Sequence, residues 1–418
     1  MLGKESKILI IGGGTWGLST ALYLLRDNYT DVTIIDAEEI PSSRSAGNDI
    51  NKIIRIGYTS EFHSRLELEA AELWRNDPLF KPFFHEVGYL VCTSEEAPLE
   101  ELNLIRRIRL DMNRKDWEEL NTKEDIISGA PILHKGTLPG WRGYLQRNEG
   151  GWVHAANTMR AVANEIRRLG GKFVTDEISS LLFEAGSVKG CRSFTGKEYF
   201  ADKTILSTGA SSVKLLDFKN QLMAKCWTLG HIKLSTEESE RFKDIPVIRS
   251  LEGGFFFQPD ENNEMKICNE FPGYTHYISE QKEPNTSVPE YINTVPVEAE
   301  KGIRKLLKET IPDFRDKPIV MSKICWCTDT PDRYYLIDEY PESNGSLILA
   351  TGDSGHGFQL IPTIGKYISK LAVLGKDGLD KEQQYRWRWR PETVKDRIQN
   401  RYGGEGHVKD LKDIKDWI

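Results

Sequence analysis

The chain has 418 residues, of which 39% are hydrophobic and 28% charged, a composition typical of a globular protein with one large domain or two interleaved ones. Its 56 Lys and Arg against 63 Asp and Glu give a formal net charge of −7, which argues against a nucleic-acid partner. No apolar stretch reaches membrane-spanning length, so we expect no membrane contact. The six cysteines lack the spacing of a disulfide framework, and the final "KDWI" differs from a peroxisomal signal. We therefore expect a cytoplasmic location.

The first predicted elements form a βαβ unit. An apolar strand, "KILII", leads into the glycine pattern "GGGTWG", a helix with apolar residues at helical spacing follows, and "DVTIID" returns as a strand ending in Asp36. In such a unit Gly12 permits a tight turn, Gly14 a close backbone approach to a pyrophosphate, and Gly17 close packing of helix and strand. The helix N-terminus favours phosphate, and the acid can accept hydrogen bonds from a ribose hydroxyl. The unit therefore predicts dinucleotide binding without deciding between FAD and NAD.

The later elements alternate between helices and strands. The pattern predicts a helix over 61–76, a strand in "HEVGYLVCTS", a helix over 154–169, and a series of strands ending in "KTILSTGA". An antiparallel sheet between 230 and 275 and a helix over about 297–309 follow, and then the strand "LILATGDSGHGF" and the helix "TIGKYISKLAVLG". We read "RWRWR" near the C-terminus as helix packing with cation–π contacts on the surface.

The nucleotide-binding strands occur at the start, middle and end of the chain, so the cofactor-binding domain is expected to be discontinuous. The predicted fold class is α/β, a Rossmann-type cofactor-binding domain with an inserted α+β substrate domain built on a mainly antiparallel sheet. The expected boundaries are 1–85, 145–225 and 320–395 for the cofactor-binding domain, 86–144 and 226–319 for the substrate domain, and 396–418 for a C-terminal tail that packs on the cofactor-binding domain.

Two cysteines stand one residue apart in "CWCTDTPDRYYLID". On a strand, Cys325 and Cys327 share a face because side chains alternate with period two. A zinc site needs about four ligands, and no second Cys or His pair has ligand spacing, so we expect no metal. From the residues alone, a buried core thiol is the favoured interpretation of Cys325 over a covalent attachment point, because cysteine is so often a core residue.

Several stretches resemble one family of flavoenzymes. The stretches that carry the resemblance are "GGGTWGLSTALYLL", "SAGNDINKII", "NDPLFKPFFHEVGYL", "KICNEFPGYTH", "CWCTDTPDRYYLID" and "YRWRWRPE". Through them the chain resembles the D-amino-acid-oxidase superfamily and, within it, the sarcosine-oxidase-like branch. Within that branch it is most similar to the fructosyl amino acid oxidases, or amadoriases. The resemblance extends from residue 7 to about 418. It implies FAD as cofactor and oxidation of the C–N bond of a glycated amino acid by O2, with the free amino acid, glucosone and H2O2 as products. Pipecolate, saccharopine or sarcosine oxidase is the alternative, and we expect a monomer or weak dimer.

The same resemblance assigns the cofactor-binding residues. It implies a covalent 8α-S-cysteinyl link between FAD and Cys325, with Cys327 as the rival attachment site. The other residues implied to bind FAD are Gly12, Gly14, Thr15, Trp16, Gly17, Asp36, Ser45, Asn48, Lys52, Ile178, Gly357, Phe358 and Gln359.

The resemblance also assigns catalytic and substrate-binding roles. By residue type alone, Lys266 and Glu270, four apart on a strand, indicate a solvated face. The resemblance implies instead that Lys266 activates O2 and that Glu270 contacts substrate. Arg55 is expected to bind a substrate carboxylate, although a surface ion pair is the other interpretation. Gln359 stands where the family has a carboxylate-binding lysine, and Trp227 is expected to line the pocket. His356 is expected to have a positional role in its glycine-rich turn.

Overall fold

The computed structural model describes residues 2–278, 286–400 and 406–418, apart from the side chains of Glu270 and Phe271. The helices in these ranges are α1 Thr15–Arg26, α2 Glu61–Asn76, α3 Glu96–Asp111, α4 Lys123–Gly129, α5 Ala155–Arg168, α6 Thr236–Arg241, α7 Val297–Thr310, α8 Ile364–Leu374 and α9 Lys381–Trp387. The strands are β1 Ile8–Ile11, β2 Val32–Asp36, β3 Lys52–Arg55, β4 Phe84–His85, β5 Tyr89–Thr93, β6 Glu118–Leu120, β7 Arg142–Gln146, β8 Gly150–Val153, β9 Lys172–Thr175, β10 Ile178–Glu184, β11 Ser187–Ser193, β12 Glu198–Phe200, β13 Lys203–Leu206, β14 Met223–Lys233, β15 Val247–Ser250, β16 Gly254–Phe256, β17 Glu264–Thr275, β18 Ile319–Asp329, β19 Leu336–Glu339, β20 Leu347–Thr351 and β21 Lys409–Asp410.

A mainly parallel sheet has the strand order β19-β20-β13-β1-β2-β9, with β19 antiparallel to β20. The side chains of its central strand β1 alternate between two cores: Ile8 and Ile10 belong to one cluster, Leu9 and Ile11 to another. Because both faces of β1 are buried, a continuously apolar strand fits this position. Helix α1 packs between α5 and α8 over the first of these faces. The predicted Rossmann-type βαβ unit is therefore confirmed.

A second, larger sheet is mainly antiparallel. Its order is β18-β14-β17-β16-β15-β5-β7-β6, with β21 beside β17. Helix α7 covers part of one face through Ile303, Leu306 and Leu307. The long strands β18, β14 and β17 are neighbours, and they carry Cys325, Trp227 and Lys266. This sheet thus brings together residues that are up to 98 positions apart in the sequence.

Two small sheets complete the architecture, β10-β11-β12 and β3-β8-β4. Strand β3 pairs antiparallel with β8, with Lys52 opposite Val153 and Arg55 opposite Gly150. None of the helices in the described ranges is long and apolar enough to cross a membrane.

The domain organisation differs in detail from the sequence-based expectations. The boundary expected at residue 320 falls inside β18, which belongs to the large sheet. The C-terminal tail, expected to pack on the cofactor-binding domain, also contacts the antiparallel part of the large sheet: β21 pairs with β17, and Trp417 bridges to Pro296 before α7, while the Ile398 N–H donates to the Pro331 carbonyl oxygen. The apolar side chains of this tail pack in a cluster with β14 and β18 residues, which explains its location.

The "RWRWR" segment is less exposed than expected. Arg386 does lie 4.6 Å from the ring of Tyr334, as a cation–π contact requires. Arg390, however, is only 1% exposed, and its guanidinium binds both carboxylate oxygens of Asp332 at 2.8 and 2.7 Å. It also donates to the backbone oxygens of Tyr334 and Tyr335. An ion pair between this buried guanidinium and the partly exposed Asp332 carboxylate therefore holds the segment that follows β18.

Candidate active site

The loop between β1 and α1 has open space at one glycine and close packing at another. A Cβ atom on Gly14 would meet only Ser45 Oγ within 4 Å, at 3.7 Å, whereas a Cβ on Gly17 would lie 1.9 Å from the carbonyl oxygen of Gly12. Helix α1 begins at Thr15 with no side chain capping its amino end. Its N–H groups and positive dipole end are therefore available to an anion. These features fit the pyrophosphate of a dinucleotide.

Asp36 ends β2 beside this loop. Its carboxylate accepts hydrogen bonds from the backbone N–H of Gly13 at 2.7 Å and of Glu38 at 3.3 Å. Burial raises the pKa of Asp36, and the backbone donors oppose that shift. The Asp176 N–H donates to the Asp36 carbonyl at 2.8 Å, which places the segment leading to Ile178 next to the acid. The arrangement fits the predicted ribose and adenine contacts, which stay predictions.

Two other predicted segments lie against the glycine loop. Trp16 Nε1 donates to the carbonyl oxygen of Gly357 at 3.3 Å. Gly47 lies so close that a Cβ there would be 2.9 Å from Thr15 Oγ1 and 3.2 Å from the ring of Phe358. The structure thus brings the first loop, the loop around Ser45 and the turn after β20 to one place.

We expect Gly14→Ala and Gly17→Ala to have different effects. Alanine at Gly14 should fold normally but reduce the amount of bound dinucleotide, because its Cβ occupies the space through which a pyrophosphate must approach. Alanine at Gly17 should destabilise the protein by about 1–3 kcal/mol, because its Cβ would press on backbone. Thermal unfolding and the ratio of cofactor to protein absorbance measure the two effects separately. A Gly14 variant with full cofactor content but a lowered unfolding midpoint would contradict this assignment.

Lys266 is buried and ion-paired. The lysine is 1% exposed, and its ammonium donates to Asp49 Oδ2 at 2.5 Å and to the Asn51 carbonyl at 2.9 Å. Lys52 Nζ binds the same Asp49 oxygen at 2.8 Å. The solvated-face interpretation is therefore wrong for Lys266. A single carboxylate oxygen instead holds two ammonium groups from different sheets.

A third lysine extends this cluster. Lys323, on β18, donates to the carbonyl oxygen of Asn48 at 2.9 Å. Burial alone would raise the pKa of Asp49, but the ammonium groups of the three lysines outweigh it and lower that pKa. Burial likewise would lower the pKa of Lys52, but the Asp49 carboxylate raises it. Three cations with one carboxylate make this region electropositive, which suits developing negative charge.

The two cysteines of β18 have different environments. Cys325 is half-buried, lies opposite Trp227 on β14, and its Sγ is 3.9 Å from Lys52 Nζ. Cys327 is 7% exposed, and its thiol donates to Asp329 Oδ1 at 3.5 Å. An adjacent cation stabilises negative charge on sulfur, the form in which cysteine is a nucleophile. The environment of Cys325 therefore favours it over Cys327 as the reactive thiol.

Arg55 and Gln359 meet at the end of β3. Arg55 is half-buried, its Nη1 donates to the Gly57 carbonyl at 2.6 Å, and its guanidinium lies 4.9 Å from the ring of Tyr58. Its backbone N–H lies 3.4 Å from Gln359 Oε1. The structure thus brings together the two residues expected to recognise a substrate carboxylate.

The amide of Gln359 is engaged within the protein. The residue is 6% exposed, and its Nε2 donates to the buried carboxyl of Glu67. Glu67 also accepts from the Gly57 N–H at 2.8 Å, and burial raises its pKa despite the nearby Arg55 guanidinium. Glu67 therefore engages one of the two Nε2 hydrogens of Gln359, and only the other could be donated to a substrate carboxylate.

His356 lies in an aromatic cluster beside these residues. Its Nδ1 is 3.1 Å from both the Tyr58 hydroxyl and the Ser354 carbonyl oxygen. Its ring packs against Tyr58 and Tyr335 at centroid distances of 4.6 and 5.1 Å. These contacts fit the expected positional role.

Glu270 follows Lys266 on β17, but its side chain lies outside the described residues, so its predicted substrate contact stays a prediction. In the parts of the chain that the structure describes, no three His, Cys, Asp or Glu side chains are placed to hold a metal ion.

Asp49, Lys323 and Glu67 were not identified from the sequence. Asp49 and Lys323 carry no distinguishing pattern, because their partners come from other strands. Glu67 has a local signal, since it occupies the buried stripe of α2 between Leu66 and Ala70. A charged residue at such a position needs a buried partner, and that could have been noticed.

Known proteins match the whole chain. A family model described as FAD dependent oxidoreductase matches residues 7–371. The structure of the deglycating enzyme fructosamine oxidase (Amadoriase II) from Aspergillus fumigatus, in complex with FSA, is 40% identical, with a TM-score of 0.94 over 100% of this chain and 98% of that chain. The fructosyl peptide oxidase from E. terrenum is 36% identical, with a TM-score of 0.91 over 100% and 99%. L-saccharopine oxidase from Schizosaccharomyces pombe is 28% identical over 98% of both chains.

Proposed function

Because this chain belongs to the FAD-dependent oxidoreductase family and, at 36–40% identity over its full length, to the amadoriase branch of it, we propose that it is an oxidase of fructosyl amino acids. Its reaction would take the glycated amine, O2 and water to the free amino acid, glucosone and H2O2. The observation that carries this choice is the full-length match, which is closer to fructosamine oxidase, at 40%, than to L-saccharopine oxidase, at 28%.

The residues of the first loop fit FAD. The open space at Gly14, the uncapped start of α1 and the carboxylate of Asp36 would hold the pyrophosphate and a ribose. Cys325 would hold the flavin end covalently, since its thiol lies beside the Lys52 ammonium. When bound, FAD accepts two electrons from the amine-bearing carbon and passes them to O2.

The lysine cluster would serve the oxygen half of the reaction. Electron transfer to O2 develops negative charge, and a fixed cation out of contact with water stabilises that charge without reorganising. Lys266 meets both conditions, because it is 1% exposed and held by Asp49. Cytoplasmic location and a monomeric or weakly dimeric state stay predictions.

Arg55 would bind the substrate carboxylate. Replacing it with lysine keeps the charge but removes the planar fork that grips both carboxylate oxygens. We expect KM to rise about 10- to 100-fold with little change in kcat, since hydrogen bonds between charged groups contribute about 1.5–3 kcal/mol. Arg65→Lys, at an exposed ion pair on α2, is the matched control. The effect should vanish with a fructosyl amine that lacks a carboxylate, and a rise in KM for that compound too would refute the assignment.

Peroxide release with a panel of amines tests the proposed function. Fructosyl-valine and fructosyl-lysine should give turnover well above that with saccharopine, pipecolate or sarcosine. The full-length similarity to L-saccharopine oxidase makes saccharopine the main competitor. Faster peroxide release with saccharopine than with either glycated amino acid would replace the proposed function by that alternative.

A further inference from the structure

Asp49 joins the cofactor-binding loop to the lysines of the site. Its backbone is fixed by a hydrogen bond from the Ala156 N–H at the start of α5 to the Asp49 carbonyl, at 2.9 Å. Its Oδ1 accepts from the Ile50 N–H at 2.9 Å. Oδ2 is thereby directed to Lys266 at 2.5 Å and Lys52 at 2.8 Å. One buried oxygen thus fixes two ammonium groups that the chain delivers from β17 and β3.

The charges around Asp49 are unbalanced. Within the described residues, the titratable groups that face this cluster come from β3, β14, β17 and β18. They are Lys52, Lys266, Lys323, the His231–Glu264 pair, Cys268 and Cys325. Three ammonium groups therefore surround one carboxylate that touches two of them. Without that carboxylate, like charges would repel one another in a region where water screens only Lys52 and Lys323 in part and Lys266 hardly at all.

We propose that Asp49 is the positioning residue of the oxygen side of the site: it holds Lys266 in the place where that lysine acts and keeps Lys52 beside Cys325. The effect of Asp49 on catalysis rests on the proposed function, whereas its contacts with the two lysines do not. Asp49 is 6% exposed and both of its carboxylate oxygens accept hydrogen bonds from the protein, so it would act only through the two lysines. Its loss should therefore impair the reaction with O2 more than the reaction with the amine.

The first test compares Asp49→Asn with Asp49→Glu and with Asp31→Asn as control. Asp31 is a half-buried acid that immediately precedes β2 of the parallel sheet and pairs with the exposed Lys172 at 3.0 Å. Each enzyme is reduced with dithionite and mixed with O2, so that no substrate is involved. Asp49→Asn should reoxidise about 10- to 100-fold more slowly than wild type, as expected for a misplaced group. Asp49→Glu, which keeps the charge, should recover much of this loss, and Asp31→Asn should match wild type.

Anaerobic reduction by fructosyl-valine supplies the comparison. If Asp49→Asn slows reduction as much as reoxidation, or if Asp49→Glu is no better than Asp49→Asn, the proposal is overturned. Failure of fructosyl-valine to reduce even the wild type would instead count against the proposed function, while the dithionite experiment would still test Asp49. The two failures are therefore distinguishable.

The pH dependence of unfolding separates charge coupling from simple loss of a contact. The lowered pKa of Asp49 gives stability that is present above its ordinary value of 3.8 and lost as the pH falls below it. The raised pKa of Lys52 gives stability that is present below 10.5 and lost as the pH rises above it. In Asp49→Asn, burial should instead lower the pKa of Lys52, so that the stability of this variant increases between pH 7 and 10.

The difference in unfolding midpoint between wild type and Asp49→Asn should therefore narrow from pH 7 to pH 10. The Asp31→Asn difference should stay constant. A constant difference for Asp49→Asn would overturn the coupling between Asp49 and Lys52.

Should Asp49→Asn not fold, the double variant Asp49→Asn/Lys323→Met removes one of the uncompensated charges. Its reoxidation after dithionite reduction should still be slow. Reoxidation at the wild-type rate in that double variant would overturn the proposal.

Discussion

Replacing Lys266 with methionine is expected to slow reoxidation of the reduced enzyme by O2 about 10²–10³-fold, the range seen when one preorganised group that stabilises developing charge is removed. Methionine is apolar and fits a site that is 1% exposed. The variant should also fold, because Asp49 keeps Lys52 as a partner at 2.8 Å. Anaerobic reduction by fructosyl-valine should change by only a few-fold. Stopped-flow absorbance of the flavin measures both half-reactions.

Lys233→Met is the matched control for Lys266→Met. Lys233 lies on the neighbouring strand β14 and donates to the carbonyl oxygen of Asn262, with its side chain exposed. The Lys233→Met variant should carry out both half-reactions at the wild-type rate. Equal slowing of reduction and reoxidation in Lys266→Met would place this lysine in substrate handling and remove it from the reaction with O2.

The parts of the fold that were predicted carry local signals. The opening βαβ unit combines a strand buried on both faces, three glycines and a terminal acid, and each of these has its own steric or electrostatic cause. Helices α2, α5 and α7 were predicted within one residue of their ends. Helix α3 was missed, because its buried positions include Pro98 and Arg109 beside two apolar residues. Its apolar periodicity is therefore weak.

Outside the glycine loop and Asp36, the candidate site was predictable only where resemblance supplied the positions. By residue type alone, Lys266 reads as an exposed charge, yet it is among the most buried side chains of the protein. Its buried ammonium is stabilised by the carboxylate of Asp49, which lies 217 residues earlier in the chain. Periodicity describes one element at a time, so a contact between a loop and a distant strand leaves no trace in it. The pairing of β21 with β17 was not predicted for the same reason, since the two strands lie far apart in sequence.

Replacing Cys325 with alanine is expected to abolish acid-stable flavin. Denaturing the wild type with acid should give a yellow pellet, whereas the Cys325→Ala pellet should be colourless, with any flavin in the supernatant. The physical reason is the difference between the two thiols of β18. Cys325 Sγ lies 3.9 Å from an ammonium, and Cys327 donates to the Asp329 carboxylate, an environment that disfavours a second negative charge.

Cys327→Ala decides between the two attachment sites, because both side chains occupy the same face of β18 and differ only in their neighbours. It should keep a yellow pellet with the wild-type amount of flavin. A colourless Cys327→Ala pellet beside a yellow Cys325→Ala pellet would move the link by two residues, and the Lys52 ammonium would then have no part in it. Two colourless pellets from folded variants would mean that both thiols are needed, and a colourless wild-type pellet would mean that FAD is held by the noncovalent contacts of the glycine loop and Asp36 alone.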